Sequence, residues 1–139
     1  MRMSKGLIIG LAAFVLGLPA VTPAQTEMVW SPLAPMSTPR NGFSLTTLAD
    51  GRLLAAGGQS GAGELASCEI YDPATGLWTL ATPRSRTSAD ASLVLLNDGR
   101  VFLLPDTGYR GEIYDPETEL WTDTSSMGLA RSGASVAVL

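Results

Sequence analysis

The 139-residue chain is 45% apolar and only 16% charged, with 15 Gly and 9 Pro, a composition apolar enough to bury a core and rich in turn punctuation. Nine basic residues face thirteen acidic ones, for a net charge of −4, and so little basic surface argues against nucleic acid or anionic membrane as a partner. The sequence contains no His, which excludes a Ser-His-Asp or Cys-His nucleophile system and any His-containing zinc or copper site within it.

Residues 1–24 read as a cleavable signal peptide. Arg2 and Lys5 form a basic start, Gly6 to Leu18 is an uncharged apolar run, and Thr22-Pro23-Ala24 offers the small residues a signal peptidase reads. The run is shorter than the roughly 20 apolar residues of a comfortable membrane span, although an uncleaved N-terminal anchor is the competing reading. Cleavage after Ala24 leaves seven basic residues against thirteen acids, a net charge of −6 and no Lys. The expected location is secreted, periplasmic or at the cell surface. Cys68 stands alone, so it makes no internal disulfide and is expected as a small buried side chain.

Beyond the leader the local signals are those of short strands. Val29 to Leu33 reads as an isolated strand. Phe43 to Leu48 and Arg52 to Ala56 are short, mostly apolar runs joined by Asp50-Gly51, a tight hairpin turn. Ala66 to Tyr71 makes a third strand, Asp72-Pro73-Ala74-Thr75-Gly76 reverses the chain, and Leu77 to Leu80 makes a fourth.

The same series then recurs. Glu69-Ile70-Tyr71-Asp72-Pro73 reappears as Glu112-Ile113-Tyr114-Asp115-Pro116, a shift of 43 that also carries Leu77-Trp78-Thr79 onto Leu120-Trp121-Thr122. Asp50-Gly51-Arg52 recurs as Asp98-Gly99-Arg100 with a shift of 48, and the difference falls where loop length can vary. A partial third copy sets Arg40-Asn41-Gly42-Phe43-Ser44 beside Arg131-Ser132-Gly133-Ala134-Ser135. Four antiparallel strands per repeat of about 45 residues is the blade of a β-propeller. A β-sandwich also has short strands and regular turns, but it does not require repetition in phase with them.

The pattern resembles the kelch repeat: an apolar run ending in a diglycine (Leu53 to Gly58), then Tyr71 and Trp78 at increasing distance. The likeness runs from Trp30 to Leu139, and implies an all-β kelch-type propeller with about two four-stranded antiparallel blades plus partial strands of neighbouring ones. Blade-like repeats fall at about 40–80 and 84–124, with an incomplete third from 131, within a partial propeller over 25–139. The second repeat departs from the family where Leu103-Leu104-Pro105-Asp106 replaces the diglycine, while Tyr114 and Trp121 stay in place. In this reading Gly57 and Gly58 give room for close backbone approach, and the four aromatics wedge between sheets. Propellers need about four to eight blades, so the sequence is expected to be an N-terminal fragment. Galactose oxidases resemble this fold but hold copper through His and Tyr ligands, and those His have no counterpart here.

No catalytic residue, metal ligand or cofactor is expected in this sequence. Asp115, Glu117, Glu119 and Asp123 crowd the end of the second repeat and read as a solvated acidic turn. Glu69 and Glu112 recur in phase, which favours a repeated structural role. Arg40, Arg84, Arg86 and Arg131 fall in the connections between repeats. They either engage a carboxylate or an acidic peptide from one face, or hydrogen-bond loop carbonyls between blades. Asp106 and Tyr109-Arg110, in a shortened loop, form a weaker second group. The expected function is an exported binding scaffold for protein or carbohydrate ligands. Two alternatives are the N-terminal part of a secreted propeller enzyme with catalytic residues beyond Leu139, and a structural cell-surface protein. Missing blades or self-association would complete the interfaces.

Overall fold

The computed structural model describes residues 33–129 and 132–138. Most of the strand expected at 29–33 therefore lies outside the described residues, as do the leader and Arg131. Among the described residues the fold is all β, in two four-stranded antiparallel sheets and a small hairpin.

The first sheet contains β1 (Ser44–Thr47), β2 (Leu53–Ala56), β5 (Cys68–Asp72) and β6 (Leu77–Ala81), in the order β1-β2-β5-β6. The hairpin of β3 (Gln59–Ser60) and β4 (Gly63–Glu64) sits in the β2–β5 loop. The second sheet contains β7 (Ser92–Leu95), β8 (Val101–Leu104), β9 (Glu112–Asp115) and β10 (Leu120–Asp123), again as a simple meander. The fall in repeat shift from 48 to 43 has its cause here: the second sheet's 105–111 loop carries no counterpart of the β3–β4 hairpin.

The recurring turns are held by their own side chains. In each Asp-Gly-Arg the aspartate accepts from the backbone N–H and Nε of the Arg two residues on, for Asp50 with Arg52 and Asp98 with Arg100. At the β5–β6 turn the Asp72 carboxylate accepts from Ala74 N, and Asp115 accepts from Glu117 N at the β9–β10 turn. These two turns differ at one position. Gly76 has φ +72°, and Glu119 occupies the same left-handed place with φ +57°. A side chain there is strained where glycine is not. Glu119→Gly is expected to raise stability by about 0.5–1 kcal/mol, read as a higher urea midpoint at unchanged m-value.

The core lies between the two sheets. One face of the first sheet presents Leu54, Ala56, Cys68 and Ile70, and the second presents Val101, Leu103 and Tyr114 to them, with Leu48 at the margin and Trp121 packed alongside. Tyr114, Leu54, Leu103 and Val101 are fully buried, each contributing up to about 1.5–3 kcal/mol. Burial pushes the Cys68 thiol up to about 11, which leaves it an inert apolar filler. Leu54 and Cys68 are repeated as Phe102 and Gly111, an exchange that conserves space: a Cβ on Gly111 would collide with the Phe102 ring.

Tyr71 faces Trp78 and Tyr114 faces Trp121 in register on the outer strand pairs, with ring centroids 5.2 and 5.0 Å apart. Trp121 also crosses the interface, its Nε1 donating to Thr82 O at 3.1 Å. The Tyr114 hydroxyl is buried with no hydrogen-bond partner among the described residues, and burial raises its pKa. Tyr114→Phe removes an unsatisfied polar group and keeps the ring, so it is expected to raise stability by about 1 kcal/mol in a denaturant titration.

The inner strands β1 and β7 lie against each other, where Ser44 Oγ donates to Ala91 O. The same contact is repeated one step along, with Ser92 Oγ donating to Ala134 O at 3.0 Å. Ala134 thus accepts from the second sheet as Ala91 accepts from the first.

Candidate functional site

Because each sheet is a meander, its connections alternate between two edges. The β1–β2, β5–β6, β7–β8 and β9–β10 turns lie at one edge, and the β2–β5 and β8–β9 loops lie at the other with the 82–91 connection between sheets. Of the candidate arginines, Arg40, Arg84 and Arg86 belong to the second edge, and Arg131 lies outside the described residues.

There the structure separates them. The Arg40 side chain is fully buried and bound by Gly57 O at 2.9 Å, Ser67 O at 2.8 Å and Glu69 Oε1 at 2.7 Å. Glu69 also accepts from Ser37 N and Thr38 N, at 2.7 and 3.2 Å. Burial by itself pushes the Glu69 carboxyl up, but those N–H donors and the guanidinium outweigh it and hold the group below the usual carboxylate range. Arg84 repeats the arrangement one blade later. Its Nε and Nη2 reach Glu112 Oε2, Nη1 reaches Ser88 Oγ at 2.7 Å, and Ser85 N and Oγ complete the carboxylate. Both Arg84 and Glu112 are almost wholly buried, and the guanidinium lies 5.9 Å over the Trp121 ring. These two arginines are internal clasps whose donors are committed to their own repeats.

Sequence reasoning grouped all four arginines and missed that division. The signal was present: Thr38-Pro39-Arg40 recurs as Thr82-Pro83-Arg84, nearly in phase with Glu69 and Glu112.

The diglycine joins successive clasps. Gly57 O accepts from Arg40 of its own repeat, while a Cβ on Gly57 would stand 2.6 Å from Ser88 O and 3.1 Å from Arg84 Nη1 of the next. Gly58 N donates to Ser88 O at 2.9 Å. In the second sheet, where Pro105-Asp106 replaces the diglycine, the link to the following segment runs in the opposite sense through a side chain: Asp106 accepts from Gly133 N and Ser132 Oγ.

Arg86 stands apart. It is 44% exposed and pairs at the surface with Asp123, itself 39% exposed. Beside it the 105–111 loop carries Tyr109, 57% exposed, and Arg110, which forms no ion pair among the described residues. The loop is tied down by Met127 N donating to Tyr109 O at 2.8 Å and Gly111 N donating to Thr124 Oγ1 at 3.0 Å. Arg84, Arg86 and Thr87 from the connection, with Pro105 and Thr107 to Arg110 from the loop, enclose a cavity of about 340 Å³. Arg84 and Arg86 of the first group thus meet the Tyr109-Arg110 pair of the second, while Arg40 lies in its own clasp and Asp106 points away towards 132–133.

The opposite edge has a cavity of about 460 Å³ lined by Asp50, Asp98, Asp115 and Glu117 together with Arg52 and Arg100. Each of those arginines is already paired with the Asp two residues before it. Among the described residues the first cavity combines a surface-paired guanidinium, Arg86, and one without an ion pair, Arg110, with an exposed aromatic ring. That is binding chemistry for an anionic or polar ligand.

Comparison with known families places a Kelch motif at residues 39–85, the span from just before Arg40 to just after Arg84. A search of curated proteins gave no match. The two four-stranded antiparallel sheets are consistent with kelch blades.

Proposed function

We propose that this Kelch-motif chain is an exported binding scaffold, which engages a protein or carbohydrate ligand through the loop edge that carries Arg86, Tyr109 and Arg110. Kelch repeats commonly act as binding scaffolds, although the fold alone names no ligand. The observation that carries the reading is the loop cavity itself. Apart from Arg84, its residues depart from the repeat, whereas nearly every recurring residue is committed to turns, clasps or the inter-sheet core. Export rests on the basic, apolar and small-residue segments of 1–24, and removal of that segment would leave Gln25 first.

The test is to screen the full chain, as its producing cell delivers it, against glycan and protein arrays. The expected result is a ligand whose binding is lost in Tyr109→Ala with the thermal midpoint unchanged, and a mature N-terminus at Gln25. A folded chain that captures nothing, or whose captures are indifferent to residues 86 and 107–110, would overturn the reading.

A further inference from the structure

We propose that the cavity beside Arg86 and Arg110 takes a carboxylate-bearing saccharide, and that Asp123 occupies the carboxylate's place while the cavity is empty of it. This rests on the binding reading above and names its ligand class.

Charge is the first argument. Among the described residues three guanidiniums and no carboxylate line the cavity, in a chain whose net charge is −4; Asp123, paired with Arg86, and Glu64, bonded to Thr87, stand at its margin. Arg84 contributes little, because Glu112 neutralises it inside the protein. Arg110 makes no ion pair among the described residues, and Arg86 is held only by Asp123 at the surface. A local concentration of positive charge on an acidic protein selects anions.

The two neighbouring ion pairs differ in what opening them requires. Separating Arg84 from Glu112 would leave buried charges uncompensated, whereas Arg86 and Asp123 are both well exposed and water can take over from either partner. Arg86 is therefore the guanidinium that can exchange an internal carboxylate for an external one. Asp123 is itself 39% exposed, so water can solvate its carboxylate when it is displaced.

Shape argues for a sugar over an extended acidic peptide. A cavity of about 340 Å³ is at the small end of ligand pockets. The exposed Tyr109 ring and Pro105 offer apolar surface for the C–H face of a pyranose, and the Thr107 hydroxyl suits its hydroxyl groups, while Thr87 Oγ1, whose proton goes to Glu64 Oε2 at 3.3 Å, can still accept.

The experiment is calorimetric titration of the full chain with digalacturonate, its dimethyl ester and hexaglutamate, with thermal melts to verify that each variant is folded. Digalacturonate is expected to bind at least tenfold more tightly than the ester, which has the same rings without the charge. Arg110→Ala is expected to weaken it at least tenfold, and Asp123→Asn to strengthen it about three- to tenfold by freeing Arg86. No binding of digalacturonate, equal binding of the ester, or an Asp123→Asn variant that binds no better would overturn the inference. Preference for hexaglutamate would overturn the saccharide in favour of an acidic peptide. Loss of acid and ester binding alike in Tyr109→Ala, with equal affinities before it, would refute the carboxylate and leave the scaffold reading standing.

Discussion

Glu112→Ala is expected to destabilise the protein by about 3–5 kcal/mol, a large part of the roughly 5–15 kcal/mol that holds a domain folded. The size follows from what the substitution leaves behind. Arg84 would remain buried with its Nε and Nη2 donors unsatisfied, and Ser85 N and Oγ would lose their acceptor as well. The pair's own net contribution is a different quantity, because burying both ions was costly in the first place. Arg84→Met with Glu112→Leu should accordingly recover most of the loss. Urea unfolding reads both variants, and a single substitution costing under about 1 kcal/mol would show that the clasp is solvated in solution.

The second large effect is expected at Gly57→Ala, about 2–4 kcal/mol. Two penalties combine. Gly57 has φ +66°, which L side chains adopt at a cost of about 1–2 kcal/mol, and the added methyl would stand 2.6 Å from the Ser88 carbonyl, an overpacking that typically costs about 1–3 kcal/mol. Backbone cannot swing aside as a side chain can, so the 84–88 connection must shift and take Arg84 and Ser88 with it. Since Arg86 and Thr87 lie on that connection, ligand binding at the loop cavity should weaken in the same variant. Denaturation and binding measured on one preparation test both, and an unshifted midpoint would contradict the close approach.

How far the sequence could be read depended on whether a residue belonged to the repeat. Strands expected at 43–48, 52–56, 66–71 and 77–80 form at 44–47, 53–56, 68–72 and 77–81, because short apolar runs and Asp-Gly or Asp-Pro turn punctuation are local signals. The recurrence of Glu69 and Glu112 pointed to a structural role, and both are clasp carboxylates. The β3–β4 hairpin was not legible, being only two residues per strand without an apolar pattern. Nor was the split among the arginines, since charge in a loop does not reveal burial. Arg40 and Arg84 share a repeat position behind Thr-Pro, whereas the residue one repeat before Arg86 is Gly42. Pro105-Asp106 looked like a defect in the motif. Asp106 instead moves the next contact onto a carboxylate, and Pro105, with the hairpin gone, joins one wall of the cavity.

Recurring residues build the frame in this chain, and the departures from recurrence supply the surface proposed for recognition. The most direct test is amide chemical-shift mapping on the ¹⁵N-labelled full chain, titrated with whichever ligand the arrays return. Shifts confined to Arg86, Thr87 and Thr107 to Arg110 are the predicted result. Shifts centred on Asp50 to Arg52, Asp98 to Arg100 and Asp115 to Glu117 would place recognition at the opposite edge and contradict the account.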